Sequence, residues 1–497
     1  MKTPILVQEQ RRYTYQQLSA FFARCGVEDE HIIHIIRKLK EFGLLKNVKA
    51  KDEQRDMSEL LEGDISVTDV EIGDSLHYYV FTFVGIIIVN GVVFESYPKY
   101  IDKSDPSEEL KLVLRVLRKY NSKNEIIRLF NETNESKAFN LLAILLFFLR
   151  DYHENGSYRN SEAIIETNGR GEILWDKTIN DTFALICRNR PFYTDLQTIR
   201  RVDDDYDYFR RLHECVITIA SKELKNAGLL DLFELTDVNL SDECLADFGE
   251  TEYILYRLGR ELNVQFNSWK QLILKALYAY VNHSGHLADM DQFSVYGTTS
   301  FNLVWEDVCS KVLNDKLHLP LKSIESELPK PLLSKYKKTE GKLEGRLIDI
   351  IERPFWSYAN MLAPDTLRPD IVVIEKVDDK YMFVIVDAKY YAPRLEKGKV
   401  PKNQPGLESI TKQYLYQLAF SDFVKDQGFS ENCIRNCFLL PTENTNEVDK
   451  GEVSMRMFED LPSSPKLKRI QVRYLLASKA YECYLNSRIM KLEVLNL

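Results

Sequence analysis

The chain has 497 residues, 44% hydrophobic and 28% charged, the proportions of a soluble globular protein with room for roughly two to four domains. A formal net charge of −9 excludes a uniformly basic nucleic-acid coat and leaves only local basic grooves for DNA. The cysteines form no C-x-x-C pair, and Cys433 and Cys437 lack a nearby histidine, so reduced thiols are expected rather than zinc ligands or disulfides. The N-terminus has no secretory h-region, and the longest apolar run, 141–149, is too short to span a bilayer. A cytoplasmic, membrane-free protein is therefore expected. No G-x-x-x-x-G-K-[ST] is present, so nucleotide hydrolysis by a phosphate loop is not.

Residues 14–24 (TYQQLSAFFAR) and 29–42 (DEHIIHIIRKLKEF) predict two short helices, the second with a stripe of Ile32, Ile35, Ile36 and Leu39. Gly43 stops it, and Leu44-Leu45 open a β segment. This order predicts a winged-helix-like segment over 1–55. Arg37, Lys38 and Lys40 would serve a DNA contact; otherwise the segment is a packing or partner-docking module. Residues 52–74 are acidic and read as a linker or wing. Two β-rich runs, 78–88 and 91–94, joined by Asn90-Gly91, predict a hairpin. Residues 106–152, 203–229 and 250–282 read as helices. The stretch 169–180 (GRGEILWDKTIN) has too few glycines for a phosphate loop and reads as a structural elbow, or a partner or DNA-backbone contact through Arg170 and Lys177.

Residues 301–313 (FNLVWEDVCSKVL) predict an amphipathic helix. Two Val/Ile runs, 371–374 and 382–386, flank the polar turn 375–380 and predict adjacent, central strands. Asp370 opens the first strand; Asp387 and Lys389 close the second and share one face. Buried charges cost several kcal/mol unless they are paired or hold a metal. Two carboxylates suit Mg²⁺, which lowers the pKa of water, and Lys389 suits the charge that develops on a phosphodiester under attack. A structural Asp–Lys pair is the bland alternative. The basic segments 330–342 and 394–402 flank this motif and would track phosphates, or are merely solvated loops. Residues 409–424 predict a helix, 434–440 a strand and 472–486 a closing helix.

Pro369-Asp370 with Asp387-Ala388-Lys389 resembles the signature of the PD-(D/E)xK nucleases. The tail through Tyr390-Tyr391 is similar to LlaJI-type restriction endonucleases, relatives of the McrC nuclease subunit. Residues 83–101, ending in Pro98-Lys99, resemble the β segment of McrC-like proteins, and 169–180 a LlaJI-type pattern. The resemblance implies Asp370 and Asp387 as metal ligands and Lys389 as catalytic. It adds Glu306, with Asp307 as alternative, as a helical acid near the metal. Gln413, with Tyr416 second, would hold the scissile phosphate or its water. It implies three parts: 1–55 winged-helix-like; 60–290 a McrC/LlaJI-like middle domain for partner docking, β-rich then helical; and 296–497 an α/β nuclease core of the PD-(D/E)xK type. The function implied is Mg²⁺-dependent cleavage of double-stranded DNA in a restriction system for phage defence, with a separate McrB-like AAA+ GTPase, docking expected near 83–101. Alternatives are a winged-helix DNA-binding regulator with an inactive nuclease-like scaffold, and a stand-alone repair nuclease.

Overall fold

A computed structural model describes residues 4–49, 77–121, 140–203, 207–283, 285–289, 292–337, 345–377, 379–393, 397–444, 449–462 and 466–497. The acidic stretch 52–74 and the parts 338–342 and 394–396 of the basic segments lie outside these residues. The chain divides into two compact units. One is residues 126–295. The other joins residues 2–125 to 296–497. Residues 2–125 thus pack with the C-terminal region.

In the second unit, strand β1 (Ile5–Gln8) leads to β2 (Arg12–Tyr13) and the helices α1 (Tyr15–Arg24) and α2 (Asp29–Glu41). Thr14 and Gln17 form a capping box that starts α1, satisfying backbone N–H groups that the first helical turn leaves open. The expected stripe Ile32, Ile35, Ile36 and Leu39 is buried, and Gly43, at φ 68°, ends the run. Strands β3 (Leu45–Lys49) and β4 (His77–Phe81) follow, and β2 and β3 both pair antiparallel with β4. On α2, Lys38 donates to Asn90 Oδ1 (3.1 Å) and Lys40 lies 5.5 Å over the Tyr79 ring. Two of the three cations that would serve DNA are thus engaged within the fold.

Strands β5 (Val84–Val89) and β6 (Val92–Tyr97) form the expected hairpin. Asn90 and Gly91 adopt φ of 50° and 69°, the left-handed pair that matches strand twist. β1 adds parallel to β6, and the strand Phe293–Thr298 lies beside β5. There Gly85 meets Tyr296 so closely that a Cβ would fall 2.1 Å from its carbonyl oxygen. Every residue of β5 is buried. Helix α3 (Ser107–Asn121) follows, and its Lys119 donates to the Leu485 carbonyl (3.2 Å) and Ser487 Oγ (2.9 Å) near the C-terminus.

The unit 126–295 contains the expected helices, Leu141–Asn155, Tyr208–Asn226, Thr251–Val264 and Ser268–Asn282. Between the first two lie strands that helical reading of the middle region missed. Ser161–Thr167, Gln197–Asp203 and Glu172–Ile173 make a small antiparallel sheet, and Ala184–Cys187 pairs with Arg190–Tyr193. Their apolar residues Ile164, Ile165, Leu185, Ile186 and Phe192 are exposed, so no inside–outside alternation marked them. Within 169–180 the backbone approaches closely at Gly171, where a Cβ would fall 2.0 Å from the Ile199 carbonyl oxygen.

Returning to the second unit, helix α4 (Phe301–Val312) precedes a mixed five-stranded sheet of β7 (Ile371–Val377), β8 (Lys380–Ala388), β9 (Ile434–Thr442), β10 (Asp449–Val453) and β11 (Ile470–Leu476). Its order is β7-β8-β9-β11-β10. β7 and β8 are antiparallel, and β8, β9 and β11 run parallel. Helix α5 (Leu407–Ala419) packs Tyr416 with Phe420 and Phe423 over Val372, Ile374, Phe383 and Ile385. Two expectations are corrected. β7 is an edge strand, not a central one; its edge is covered, with Val372 N–H held by Asp315 (2.8 Å) and Glu375 accepting from Leu492 N–H (3.0 Å). The segment 472–486 is not one helix: 470–476 completes β11, and helix α6 (Ala477–Leu485) follows.

Candidate active site

The hairpin register brings the site together. Ile371 pairs with Val386, so Asp370 and Asp387 sit side by side at the next step of the ladder. Asp370 Oδ2 accepts from Ala388 N–H (3.1 Å), which ties the first carboxyl to the second strand. Lys389 Nζ lies 2.9 Å from Asp387 Oδ1, and Lys389 N–H continues the parallel ladder to the Leu439 carbonyl (2.9 Å). Asp387 is 3% exposed.

The electrostatics are those of crowded carboxylates. Burial first, then the charge of Asp387 and its hydrogen bond, raise the Asp370 carboxyl to about 9. Burial pulls the Lys389 ammonium down, but Asp387 and Asp370 outweigh it and hold its pKa above the ordinary value. Lys389 is therefore a cation at neutral pH. Glu306, on α4, is raised by burial, lowered by Lys389 and raised by Asp387, which places it within electrostatic reach of both. Its neighbour Asp307 turns elsewhere, accepting from Tyr484 (2.6 Å) and Lys311 (2.8 Å). Of the two acids that sequence left open, Glu306 is the one that faces the pair. Tyr416 also lies near: burial, then Asp387 and Asp370, raise its hydroxyl to about 12.

Gln413 is not at an open surface. It is 0% exposed, and its Nε2 donates to the Ile385 carbonyl (2.9 Å), two residues before Asp387. Sequence reasoning placed it on the scissile phosphate; the structure places it under the strand that carries Asp387. Gln417, one turn on, is bound to Asn436 Nδ2 (2.8 Å) and Lys468 N–H (2.8 Å). Missed altogether was Asp315, whose carboxylate holds the backbone at the start of β7. Only its Asn-Asp dipeptide after α4 could have hinted at a turn.

The donor set fits a hard divalent cation. Asp387 Oδ1 is buried with the Lys389 ammonium 2.9 Å away, and burial first, then the charge of Asp387, keep Asp370 from ionising. Among the described residues no three His, Cys, Asp or Glu side chains are gathered as a set of metal ligands. Two neighbouring carboxylates are hard oxygen donors of the kind that hold Mg²⁺. Among the described residues, no helix is long and apolar enough to cross a membrane.

Comparison with known proteins agrees with the sequence. A curated relative, the type II restriction enzyme BsuMI component YdjA of Bacillus subtilis (strain 168), is 24% identical over 429 residues, covering 84% of this chain and 83% of its own. A chain in the refined half-complex from a tetradecameric assembly of Thermococcus gammatolerans McrB AAA+ hexamers with bound McrC is 15% identical. It covers 98% of this chain and 99% of its own, at a TM-score of 0.38. A chain in the cryo-EM structure of the Thermococcus gammatolerans McrBC complex is 14% identical, covering 61% of this chain and 85% of its own, at a TM-score of 0.25. The family described as LlaJI restriction endonuclease matches residues 83–344 and 341–462. That match takes in the Asp370–Lys389 motif and most of the chain, which therefore belongs to the LlaJI restriction endonuclease family.

Proposed function

We propose that this chain is the DNA-cutting subunit of a restriction system, with a PD-(D/E)xK-type core that hydrolyses phosphodiester bonds of double-stranded DNA. The observation that carries this reading is the paired Asp370 and Asp387 with Lys389 on Asp387, at one end of a buried hairpin. Asp370 and Asp387 would hold Mg²⁺, which when bound supplies positive charge to the phosphate and makes water more acidic. Lys389, charged at neutral pH, would lie against the phosphate oxygens and offset the charge that grows on them as the P–O bond breaks. Glu306 would orient the attacking water from α4 and accept its proton. Gln413 would hold the Ile385 carbonyl, and through it the strand bearing Asp387, in place.

The chain would work in the cytoplasm with a separate McrB-like AAA+ GTPase. Support comes from the McrC-like stretches of the sequence, from the lack of any phosphate-loop motif in its 497 residues, and from a net charge of −9 that disfavours gripping DNA unaided. The N-terminal helices with β2–β4 would be a winged-helix-like module serving packing rather than DNA.

The test is cleavage of plasmid DNA by the full chain with Mg²⁺, the cognate GTPase and GTP. Asp387→Ala and Lys389→Ala should each abolish cutting while circular dichroism shows that the chain is still folded. Full cleavage by either variant would refute the site.

A further inference from the structure

Two stretches that stand far apart in the sequence, Pro98-Lys99 and the tail of the Asp387-Ala388-Lys389 motif, meet in space. Tyr390 follows Lys389 and, by strand alternation, turns to the opposite face. It is buried, with its ring 5.1 Å from Phe301, the first residue of α4, and 6.2 Å from Tyr100. Its hydroxyl donates to Glu9 Oε2 (2.5 Å) and accepts from Lys99 N–H (3.3 Å). Lys99 Nζ sits 4.6 Å from the Tyr390 ring centre and donates to Gln10 Oε1 (2.8 Å). Gln8 Nε2 pins the same segment through the carbonyls of Lys99 (3.1 Å) and Ile101 (2.7 Å).

Glu9 is 4% exposed, and burial raises its carboxyl despite Lys99 and Tyr390. Nothing in the cleavage reading uses it. Taking such a group out of water is costly, and phenylalanine at 390 opposite an apolar residue at 9 would fill the same space without that cost. A satisfied polar cluster supplies direction that apolar packing lacks. Its position gives that direction a use: Tyr390 is covalently next to Lys389 and packed on the helix that carries Glu306.

We propose that Glu9, Lys99 and Tyr390 form a positioning latch for the cleavage site. The latch fixes the backbone just after Lys389 and the start of α4, so that the Lys389 ammonium stays on Asp387 and Glu306 stays turned toward them. It ties β1 and the end of β6 to the catalytic strand, which makes the N-terminal quarter of the chain part of the cutting machinery. The inference rests on the nuclease reading above.

Single-turnover cleavage of plasmid DNA by the full chain, with Mg²⁺, the cognate GTPase and GTP, tests it. Tyr390→Phe removes only the hydroxyl and Glu9→Gln only the charge. Each should slow the cleavage step about tenfold or more, because small misplacements of catalytic groups are costly. Half-saturating DNA and Mg²⁺ concentrations should stay within about twofold. The double variant should be no slower than the slower single one, since both break the same unit. Either single variant cutting at the parental rate, even with a lowered melting temperature, would overturn the latch. If Tyr390→Phe does not fold, the near-isosteric Glu9→Gln decides. Lys389→Ala in the same assay separates the two claims: if it too cuts normally, the nuclease reading falls along with the latch.

Discussion

Asp370 sits where both burial and its neighbour Asp387 oppose its ionisation. The consequence for stability follows from linkage. Its carboxyl is near 3.8 when the chain is unfolded and about 9 when folded, so the native state holds the proton more tightly. The stabilisation this gives is complete below pH 3.8 and is lost as pH rises toward 9. Metal-free protein should therefore be less stable at pH 8.5 than at pH 5.5 through this residue. Asp370→Asn should flatten that dependence and raise the melting temperature at alkaline pH, while abolishing cleavage. Urea denaturation in EDTA across this range measures it; an unchanged slope in Asp370→Asn would show that the pair is not coupled as described. Gln413 illustrates another residue-scale point. A polar side chain one helix away from the site acts on the strand backbone, and only its burial reveals this.

At the scale of elements, the β5–β6 hairpin was expected to lie near the partner-docking surface, yet its strands are almost wholly buried and offer little to a partner. Within residues 1–290, exposed apolar side chains gather on another hairpin, Ala184–Cys187 with Arg190–Tyr193. Phe183 is 92% exposed there, and Leu185, Ile186 and Phe192 are exposed as well. Arg188 and Asn189 take left-handed φ of 50° and 61°, which makes the turn tight. Exposed apolar clusters of this kind are candidates for partner docking. Phe183→Ser with Phe192→Ser should weaken association with the cognate GTPase about tenfold or more, as loss of aromatic anchors does, without lowering the melting temperature. Light scattering or pull-down with the purified GTPase measures this, and undiminished association would place the docking surface elsewhere.

For the whole molecule, the joining of residues 2–125 to 296–497 changes what a truncation means. Removing residues 1–290 would strip β1 and β6 from the catalytic unit. Glu9 and Lys99 would leave Tyr390, and Tyr100 would leave its 2.9 Å hydroxyl contact with Tyr481 on α6. The isolated segment 296–497 should be aggregation-prone and inactive. Replacing residues 126–292, which spares the strand Phe293–Thr298, by a flexible linker of about 15 residues should instead leave a folded unit that has lost its response to the GTPase. Circular dichroism and size-exclusion chromatography of the two proteins distinguish these outcomes; a stable, monomeric 296–497 would show that the N-terminal quarter is dispensable for the fold.

The sequence by itself determined the β7–β8 hairpin and the charged side chains gathered at its end, because both are local. Val/Ile runs around a short turn pair with each other, and pairing in that register sets Asp370 beside Asp387, with Lys389 on the same face. Helix α2, the Asn90-Gly91 turn and α4 were legible for the same reason: stripe, turn chemistry and cap act within a few residues. The tertiary structure alone decided the rest. Glu306 rather than Asp307 faces the carboxylates because Tyr484, 177 residues away, claims Asp307. β7 is an edge strand because order in a sheet depends on partners distant in the chain. Pro98-Lys99 was visible as a motif, but its meeting with Tyr390 joins residues 291 apart, and Glu9 reaches Tyr390 across 381. No periodicity or turn signal spans such separations. They are set by which buried polar groups can satisfy one another once the two ends of the chain have packed.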